Sequence, residues 1–145
     1  MSKNRVSAFQ ALLPAEARTL VAIMSRIVPH ATRALQDVVW DTALAYDAQL
    51  VANVMLRGDV RQFLRDLDGS ARKTGADSFA GAEVEVQDTL LQNIEGSGMF
   101  QSLINATITD FYNRHVVWDA IGYPGVEQRD GAGYLHKGFD ALKWH

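Results

Sequence analysis

Apolar side chains recur every three or four positions in five separate stretches of this chain, between residues 14 and 112. That spacing lines one face of an α-helix, whereas a half-buried strand alternates apolar and polar residues. Residues 83–86 (EVEV) alternate in this way, but the apolar residues after them return to helical spacing. The pattern predicts an all-α fold, a small bundle of about five helices.

Proline and glycine set the predicted ends of the first two helices. Pro14 suits the first position of a helix, Glu16 stands where the helix dipole favours an anion, and Pro29 stops the helix. A second helix is predicted from about residue 34 to residue 57, with Gly58 as its C-terminal cap. We expect this second helix to be the longest.

A glycine-containing loop is predicted to separate the third helix from the last two. Asp59 and Gln62 resemble a capping box that opens a third helix, and residues 68–69 (DG) are its expected end. Residues 69–82 are small and polar and include three glycines, which predicts a loop or a frayed helix end. The remaining two helices are predicted over residues 84–94 and 98–112.

The length and composition fit a single domain. The 145 residues suffice for one hydrophobic core, so residues 1–145 form one predicted domain. It divides into a helical core of about residues 10–115 and an irregular tail of about residues 116–145. The absence of Cys excludes disulfides, a thiolate nucleophile, and iron–sulfur or zinc sites built on this chain's own thiolates. A net charge of −3 argues against a nucleic-acid-binding protein.

No stretch of the sequence is predicted to cross a membrane or to direct export. The apolar run of residues 20–28 is interrupted by Ser25 and Arg26, which makes it too short to span a bilayer. Residues 1–7 (MSKNRVS) carry charges without an apolar stretch after them. We therefore expect no export signal and a cytoplasmic location.

The sequence offers few side chains that could converge on catalysis or on a metal. His115 and Asp119, four residues apart, suit a base and its orienting carboxylate, but equally a helix end and the cap of the next segment. Residues 96–98 (GSG) lack the third glycine of a dinucleotide-binding loop. The four histidines are never spaced so that two share a helix face: His30, His115, His136 and His145.

The charged residues of the middle of the chain are interpreted as surface. Residues 74–113 contain six acidic residues and no basic residue, and Glu83, Glu85 and Asp88 are expected to be solvated near a helix N-terminus. Residues 59–66 (DVRQFLRD) are interpreted as a solvent face with weak ion pairs. The alternative is that their arginines bind an anion or the acidic middle segment.

The C-terminal 35 residues combine aromatic side chains with glycines. They hold seven of the 13 aromatic residues and five of the 11 glycines, without periodic apolar spacing. Large aromatic side chains in such a context pack poorly as a core of their own and well against another surface. This tail either wraps around its own helices or lies on a partner, and the composition favours neither.

Residues 117–125 (VWDAIGYPG) and 133–140 (GYLHKGFD) resemble the C-terminal signature of the gluconate 2-dehydrogenase subunit 3 family. These are small subunits of bacterial FAD-dependent sugar and sugar-acid dehydrogenases. The resemblance implies a non-catalytic helical subunit that assists the folding, stability or export of a large flavoprotein of the glucose-methanol-choline (GMC) type. The large subunit would hold FAD and the catalytic base, oxidise a sugar, sugar acid or glycoside, and in many complexes pass electrons to a cytochrome c.

This resemblance gives the tail a role in binding the large subunit. Its aromatic and apolar side chains would be anchors on the partner, and its glycines would permit turns between them. The predicted partner-binding residues are Trp118, Ile121, Gly122, Tyr123, Pro124, Gly125, Gly133, Tyr134, Leu135, Phe139 and Trp144. The resemblance implies no catalytic, cofactor-binding or metal-binding residue on this chain.

Two other functions and a second location stay open at this point. Many family members begin with a twin-arginine leader, which this sequence lacks, so the alternative to the cytoplasm is the periplasm as part of an exported complex. The alternative function is a stand-alone helical enzyme or ligand-binding module that uses His115, Asp119 and Tyr123. A third is a bundle that associates with itself through its tail.

Overall fold

The computed structural model describes residues 6–28 and 30–114, and five α-helices form its framework. The described residues contain no β-strand. The predicted all-α bundle of about five helices is therefore confirmed. The helices are α1 (Pro14–Ile27), α2 (Arg33–Ala52), α3 (Val54–Lys73), α4 (Val84–Asn93) and α5 (Gly98–Phe111).

Helix α1 lies at the centre of the bundle, because it contacts each of the other four helices. Its side chains Leu20, Ile23 and Met24 are completely buried. Burial of one such side chain contributes about 1.5–3 kcal/mol relative to leaving it in water. The apolar face of α1 therefore organises the core on which the other helices pack.

Three helices begin at a polar side chain that caps their first turn. Thr32 Oγ1 accepts the N–H of Leu35 at 3.1 Å and Ser97 Oγ accepts that of Phe100 at 3.3 Å. Asn53 Oδ1 does the same at 3.0 Å at the start of α3. Each contact satisfies one backbone donor that the first helical turn leaves without a partner.

Helices α1, α4 and α5 lie where the sequence predicts them. Val28 follows α1 with an extended backbone (φ −122°, ψ 160°), as a residue before proline prefers. The alternating residues 83–86 do not form a strand, since α4 begins at Val84. Ser97 opens α5 immediately before Gly98, as expected.

The predicted boundary between the second and third helices is wrong. Only Asn53 separates α2 from α3, and Gly58 and Asp59 lie inside α3. The cap at Asn53 fixes the start of α3, and the buried apolar face after Gly58, formed by Val60, Leu64 and Leu67, outweighs the roughly 1 kcal/mol that a helical glycine costs. Asp59 and Gln62 form no capping box, because Gln62 lies within the helix and donates to Asp66 at 2.7 Å.

Helix α3 also extends past its predicted end at residues 68–69. It continues to Lys73, and Gly75 then turns the chain with a φ of +102°, which L-amino acids with side chains rarely adopt. Helices α2 and α3 are consequently the same length, 20 residues each. The connecting loop spans residues 74–83 rather than 69–82.

The 74–83 loop is pinned to the core at Phe79. The Phe79 side chain is fully buried, and its N–H donates to Asp68 Oδ1 at 2.7 Å. The Phe79 carbonyl accepts from Gln87 Nε2 at 2.8 Å. This loop is thus ordered by contacts to α3 and α4 on either side of it.

The segment before α1, residues 6–13, is held by α2. The buried carboxylate of Asp47 accepts the N–H groups of Gln10, Ala11 and Leu12 at 2.8, 2.9 and 3.1 Å. Phe9 is buried beside Trp40, with ring centroids 6.3 Å apart in an edge-to-face arrangement. No described helix is both long enough and apolar enough to cross a membrane.

Candidate partner-binding surface

The residues predicted to bind a partner all lie outside the residues that the structure describes. That range ends at residue 114, whereas the predicted anchors begin at Trp118 and end at Trp144. The same holds for His115, Asp119 and Tyr123, the residues of the alternative enzymatic function. These assignments stay predictions, and the candidate surface described below is built from other residues.

A buried carboxylate stands between α1 and α3. Glu16 is only 4% exposed and its Oε1 accepts the N–H of Leu13 at 2.9 Å, which satisfies a backbone donor at the start of α1. The same oxygen lies 2.9 Å from Nε of Arg61, and Oε2 lies 3.3 Å from a terminal nitrogen of Arg65. One carboxylate thus forms ion pairs with two guanidinium groups.

These contacts refine the interpretation of residues 59–66 as a solvent face with weak ion pairs, because the carboxylate that the arginines bind is buried. Arg61 and Arg65 each form an ion pair with Glu16 of α1. The sequence shows Glu16 at a helix start and the arginines 45 and 49 positions later. No local spacing rule links them, which is why the pair escaped prediction.

The acidic middle of the chain behaves partly as predicted. Glu83 and Glu85 are exposed, as expected of a solvated helix start. Asp88 instead forms a two-pronged ion pair with Arg26 of α1, at 2.9 and 3.1 Å. Since both side chains are partly buried, this pair ties α4 to the central helix.

A groove of about 210 Å³ runs between α1 and α3 beside the Glu16 cluster. Leu13, Ala15 and Leu64 supply its apolar wall, and Leu13 is 55% exposed despite being a large aliphatic residue. Arg65 and Arg72 border the groove, together with the buried Asp68 that Arg72 binds. We call this feature the α1–α3 groove.

Two arginines of α3, Arg65 and Arg72, line the groove, and Arg57 and Arg61 continue on the same side of the helix. Arg57, Arg61 and Arg65 follow at four-residue spacing, and Arg72 lies two further turns along the same side. The acidic residues Asp59 and Asp66 fall on the opposite side of the helix, about 140–160° around its axis from Arg61. Apart from the buried Asp68, which Arg72 binds, helix α3 therefore has its arginines on the side of α1 and its exposed acidic residues on the opposite side.

A second exposed apolar feature lies at the junction of α2 and α3. Val51, Val54 and Met55 are all exposed, and Met55 reaches 81%. Val54 falls on the basic side of α3, whereas Met55 points about 120° away from Arg61 around the helix axis. Met55 is consequently exposed outside the α1–α3 groove.

The titratable groups of the described residues show two clear perturbations. Burial raises the pKa of Tyr112 to about 12, and it also raises the pKa of Tyr46. The neutral phenol is the favoured form in both cases, because a buried phenolate loses its hydration. Tyr112 packs edge-to-face on Phe111 with centroids 5.0 Å apart, at the end of α5.

Metal-binding side chains do not gather in the described part of the chain. Residues 6–28 and 30–114 contain no group of three or more His, Asp or Glu side chains placed to hold an ion. Of the four histidines, His30 lies in that part, with Nδ1 3.3 Å from the carbonyl oxygen of Val28. The buried carboxylates Glu16, Asp47 and Asp68 accept backbone N–H groups, and so they position the chain.

Comparison with known proteins identifies a family. The family model described as gluconate 2-dehydrogenase subunit 3 matches residues 14–125, which include all five helices and the VWDAIGYPG motif. No curated protein and no solved structure matches the chain. Since the match covers most of the sequence, this chain belongs to the gluconate 2-dehydrogenase subunit 3 family, a family of subunits of a dehydrogenase complex.

Proposed function

We propose that this chain is the non-catalytic subunit that binds and stabilises a large FAD-dependent GMC-type dehydrogenase acting on a sugar, a sugar acid or a glycoside. The observation that carries the proposal is the family match over residues 14–125. In this proposal FAD and the catalytic base belong to the large subunit, and a cytochrome c is a candidate electron acceptor. The predicted anchors from Trp118 to Trp144 would contribute to the contact.

The hydrogen bonds and ion pairs among the described residues support a binding role. Asp47, Asp68 and Gln87 each hold a non-helical segment against the helices through backbone hydrogen bonds. Arg26 and Asp88 join α1 to α4. Such an arrangement gives a rigid body on which exposed apolar and basic side chains stand in fixed positions, which is what a subunit interface needs.

Co-expression with the product of the neighbouring reading frame, which this proposal expects to be the large flavoprotein, tests this proposal. We expect a yellow complex of fixed stoichiometry that oxidises a sugar or sugar derivative, whereas this chain purified alone is colourless and inactive. The measurements are the mass of the complex, its flavin absorbance and its reduction of an artificial electron acceptor. A monomer of this chain that oxidises such a substrate without a partner would contradict the proposal.

His115→Ala separates the accessory subunit from the alternative enzyme. If His115 acts as a catalytic base with Asp119, the substitution should lower turnover by about 10²–10⁴-fold. For an accessory subunit we expect unchanged turnover per assembled complex. Asp119→Asn serves as the second variant, since an orienting carboxylate would show the same loss.

A further inference from the structure

The α1–α3 groove combines two properties in one place: an exposed aliphatic wall and an excess of positive charge. Leu13 stands 55% exposed at its edge, and Arg72 is 60% exposed on the α3 side. Arg61, Arg65 and Arg72 form ion pairs with two carboxylates, Glu16 and Asp68. Arg57 follows on the same side of α3, so this side has a local charge of +2 on a chain whose net charge is −3. An apolar surface with a charged border is typical of a protein interface.

The guanidinium groups keep donors for a further partner. Arg61 uses only Nε on Glu16, so both of its terminal nitrogens have hydrogen-bonding capacity left. Arg57 forms no ion pair with any residue between 6 and 28 or between 30 and 114. Guanidinium groups fixed by a carboxylate on one edge offer their other edge in a preorganised position.

We propose that the α1–α3 groove binds an acidic segment of the large catalytic subunit, one that carries aliphatic side chains between its carboxylates. The carboxylates would meet Arg57, Arg61 and Arg65, and the aliphatic side chains would cover the exposed Leu13 and Ala15. This inference rests on the proposed function and adds to it the location of a contact and the chemistry of the partner's side.

Charge complementarity favours this occupant over the alternatives. A second copy docked about a two-fold axis would bring the same positive face against itself. Residues 1–5 of the chain include Lys3 and Arg5 and no acidic residue, so they carry the wrong sign. An acidic segment of the large subunit supplies the opposite charge, whereas repulsion between like charges would keep basic segments of that subunit out of the groove.

Photo-crosslinking locates the contact and identifies its occupant. A photoreactive p-benzoylphenylalanine replaces Leu13 in one variant and Met55 in another, and each full chain is co-expressed with the neighbouring flavoprotein. We expect the Leu13 variant to give a product with the summed mass of both subunits. The Met55 variant is the matched control: it is more exposed, at 81%, but lies outside the groove, so we expect at least several-fold less of that product.

The mass of the crosslinked product separates the outcomes. A product of twice this chain's mass would mean that a second copy occupies the groove, and a crosslink within one chain would mean that residues 115–145 do. Either result overturns the inference while leaving the proposed function intact. If the wild-type chain forms no complex with the flavoprotein, both the proposed function and this inference fail.

Neutralising the arginines tests the role of charge. In Arg57→Gln/Arg65→Gln, Glu16 keeps Arg61 and the N–H of Leu13, so the fold should persist, which circular dichroism checks. We expect the Kd for the flavoprotein to rise by about three- to ten-fold at low ionic strength, with a smaller difference once salt screens the charges.

The matched control is Arg18→Gln/Arg33→Gln, which removes two exposed arginines of α1 and α2 that are not part of the basic side of α3. Its Kd should stay within about two-fold of the wild-type value. An equal rise in both double variants, or no rise in Arg57→Gln/Arg65→Gln, contradicts the inference.

Discussion

Two segments outside the five helices are each held by a buried phenylalanine and a buried aspartate, but the number of backbone hydrogen bonds to the aspartate differs. Residues 6–13 and residues 74–83 each insert a phenylalanine into the core, Phe9 and Phe79, and each donates backbone N–H groups to a buried carboxylate. In the first segment Asp47 receives three N–H groups on its two oxygens. In the second, Asp68 receives one N–H and shares its other oxygen with Arg72.

The two segments differ in how many side chains hold their backbone: Asp47 in the first, and both Asp68 and Gln87 in the second. In residues 6–13, three backbone N–H groups bind the two oxygens of Asp47, and the buried side chains of Phe9 and Leu12 add apolar contacts. The order of residues 74–83 is spread over Asp68, Gln87 and the fully buried ring of Phe79. We therefore expect the polar anchor to matter more in the first segment and the aromatic anchor to matter more in the second.

Truncating the two phenylalanines should give the largest effects. Phe79→Ala leaves a cavity in a fully buried site and should lower the free energy of unfolding by about 3–5 kcal/mol. Phe9→Ala should cost less, because Phe9 is 8% exposed and its neighbour Trp40 is only partly buried and can move into the space. Urea denaturation of both variants measures the difference, and equal losses would contradict it.

Replacing each buried aspartate by asparagine should give the opposite result. The loss of stability should be larger in the first segment, at Asp47, than in the second, at Asp68. Asp47→Asn keeps one acceptor oxygen for three N–H groups. Its NH2 group would face the N–H groups left without an acceptor, so the free energy of unfolding should fall by about 1–3 kcal/mol. Asp68→Asn keeps its oxygen for Phe79 and alters only the contact to Arg72, a mostly exposed side chain, so the loss should stay below about 1 kcal/mol.

Hydrogen exchange resolves this second comparison residue by residue. In Asp47→Asn we expect faster exchange of the amides of residues 10–12, with that of Phe79 unchanged. A greater loss of stability in Asp68→Asn than in Asp47→Asn would show that the ion pair with Arg72, rather than the backbone contact, carries the anchoring.

A smaller change in stability than at Phe79 is expected at Gly75, a glycine with positive φ in the second segment, residues 74–83. Gly75 has a φ of +102°, so Gly75→Ala should destabilise the protein by about 1–2 kcal/mol although a Cβ there would meet no neighbouring atom within 4 Å. Gly58→Ala is the control: this glycine lies inside α3 with equal space, and alanine should raise stability by about 0.5–1 kcal/mol. Thermal unfolding should show shifts of opposite sign, and shifts of the same sign would refute the conformational argument.

Local sequence patterns predicted most of the fold. Helices α1, α4 and α5 follow from apolar spacing, with Pro14 and Ser97 marking starts. The error at Gly58 arose because a glycine followed by aspartate looks like a stop and a start, whereas Asn53, an equally good cap, stands in an apolar run. Which of two plausible caps is used depends on packing across the bundle, and local sequence does not contain that information.

The candidate surface was less predictable, because its contacts join distant parts of the chain. Glu16 meets Arg61 and Arg65 across 45 and 49 positions, and Asp47 meets Gln10 across 37. Only the four-residue spacing of Arg57, Arg61 and Arg65 was available as a signal for a basic face. The family, in contrast, was recognisable from residues 117–125, since that motif depends on residue identity and not on packing.

The single residue between α2 and α3 has a consequence for how this chain tolerates changes in length. Each residue added to a helix turns everything after it by about 100° about the helix axis. One residue inserted in α3 between Asn53 and Arg61 would therefore turn Arg61 and Arg65 away from Glu16 and place Val60 and Leu64 in their positions. The start of α3 at Asn53 therefore sets the direction in which its arginines face. Residues inserted into the 74–83 loop, which lies after these arginines, would not change that direction.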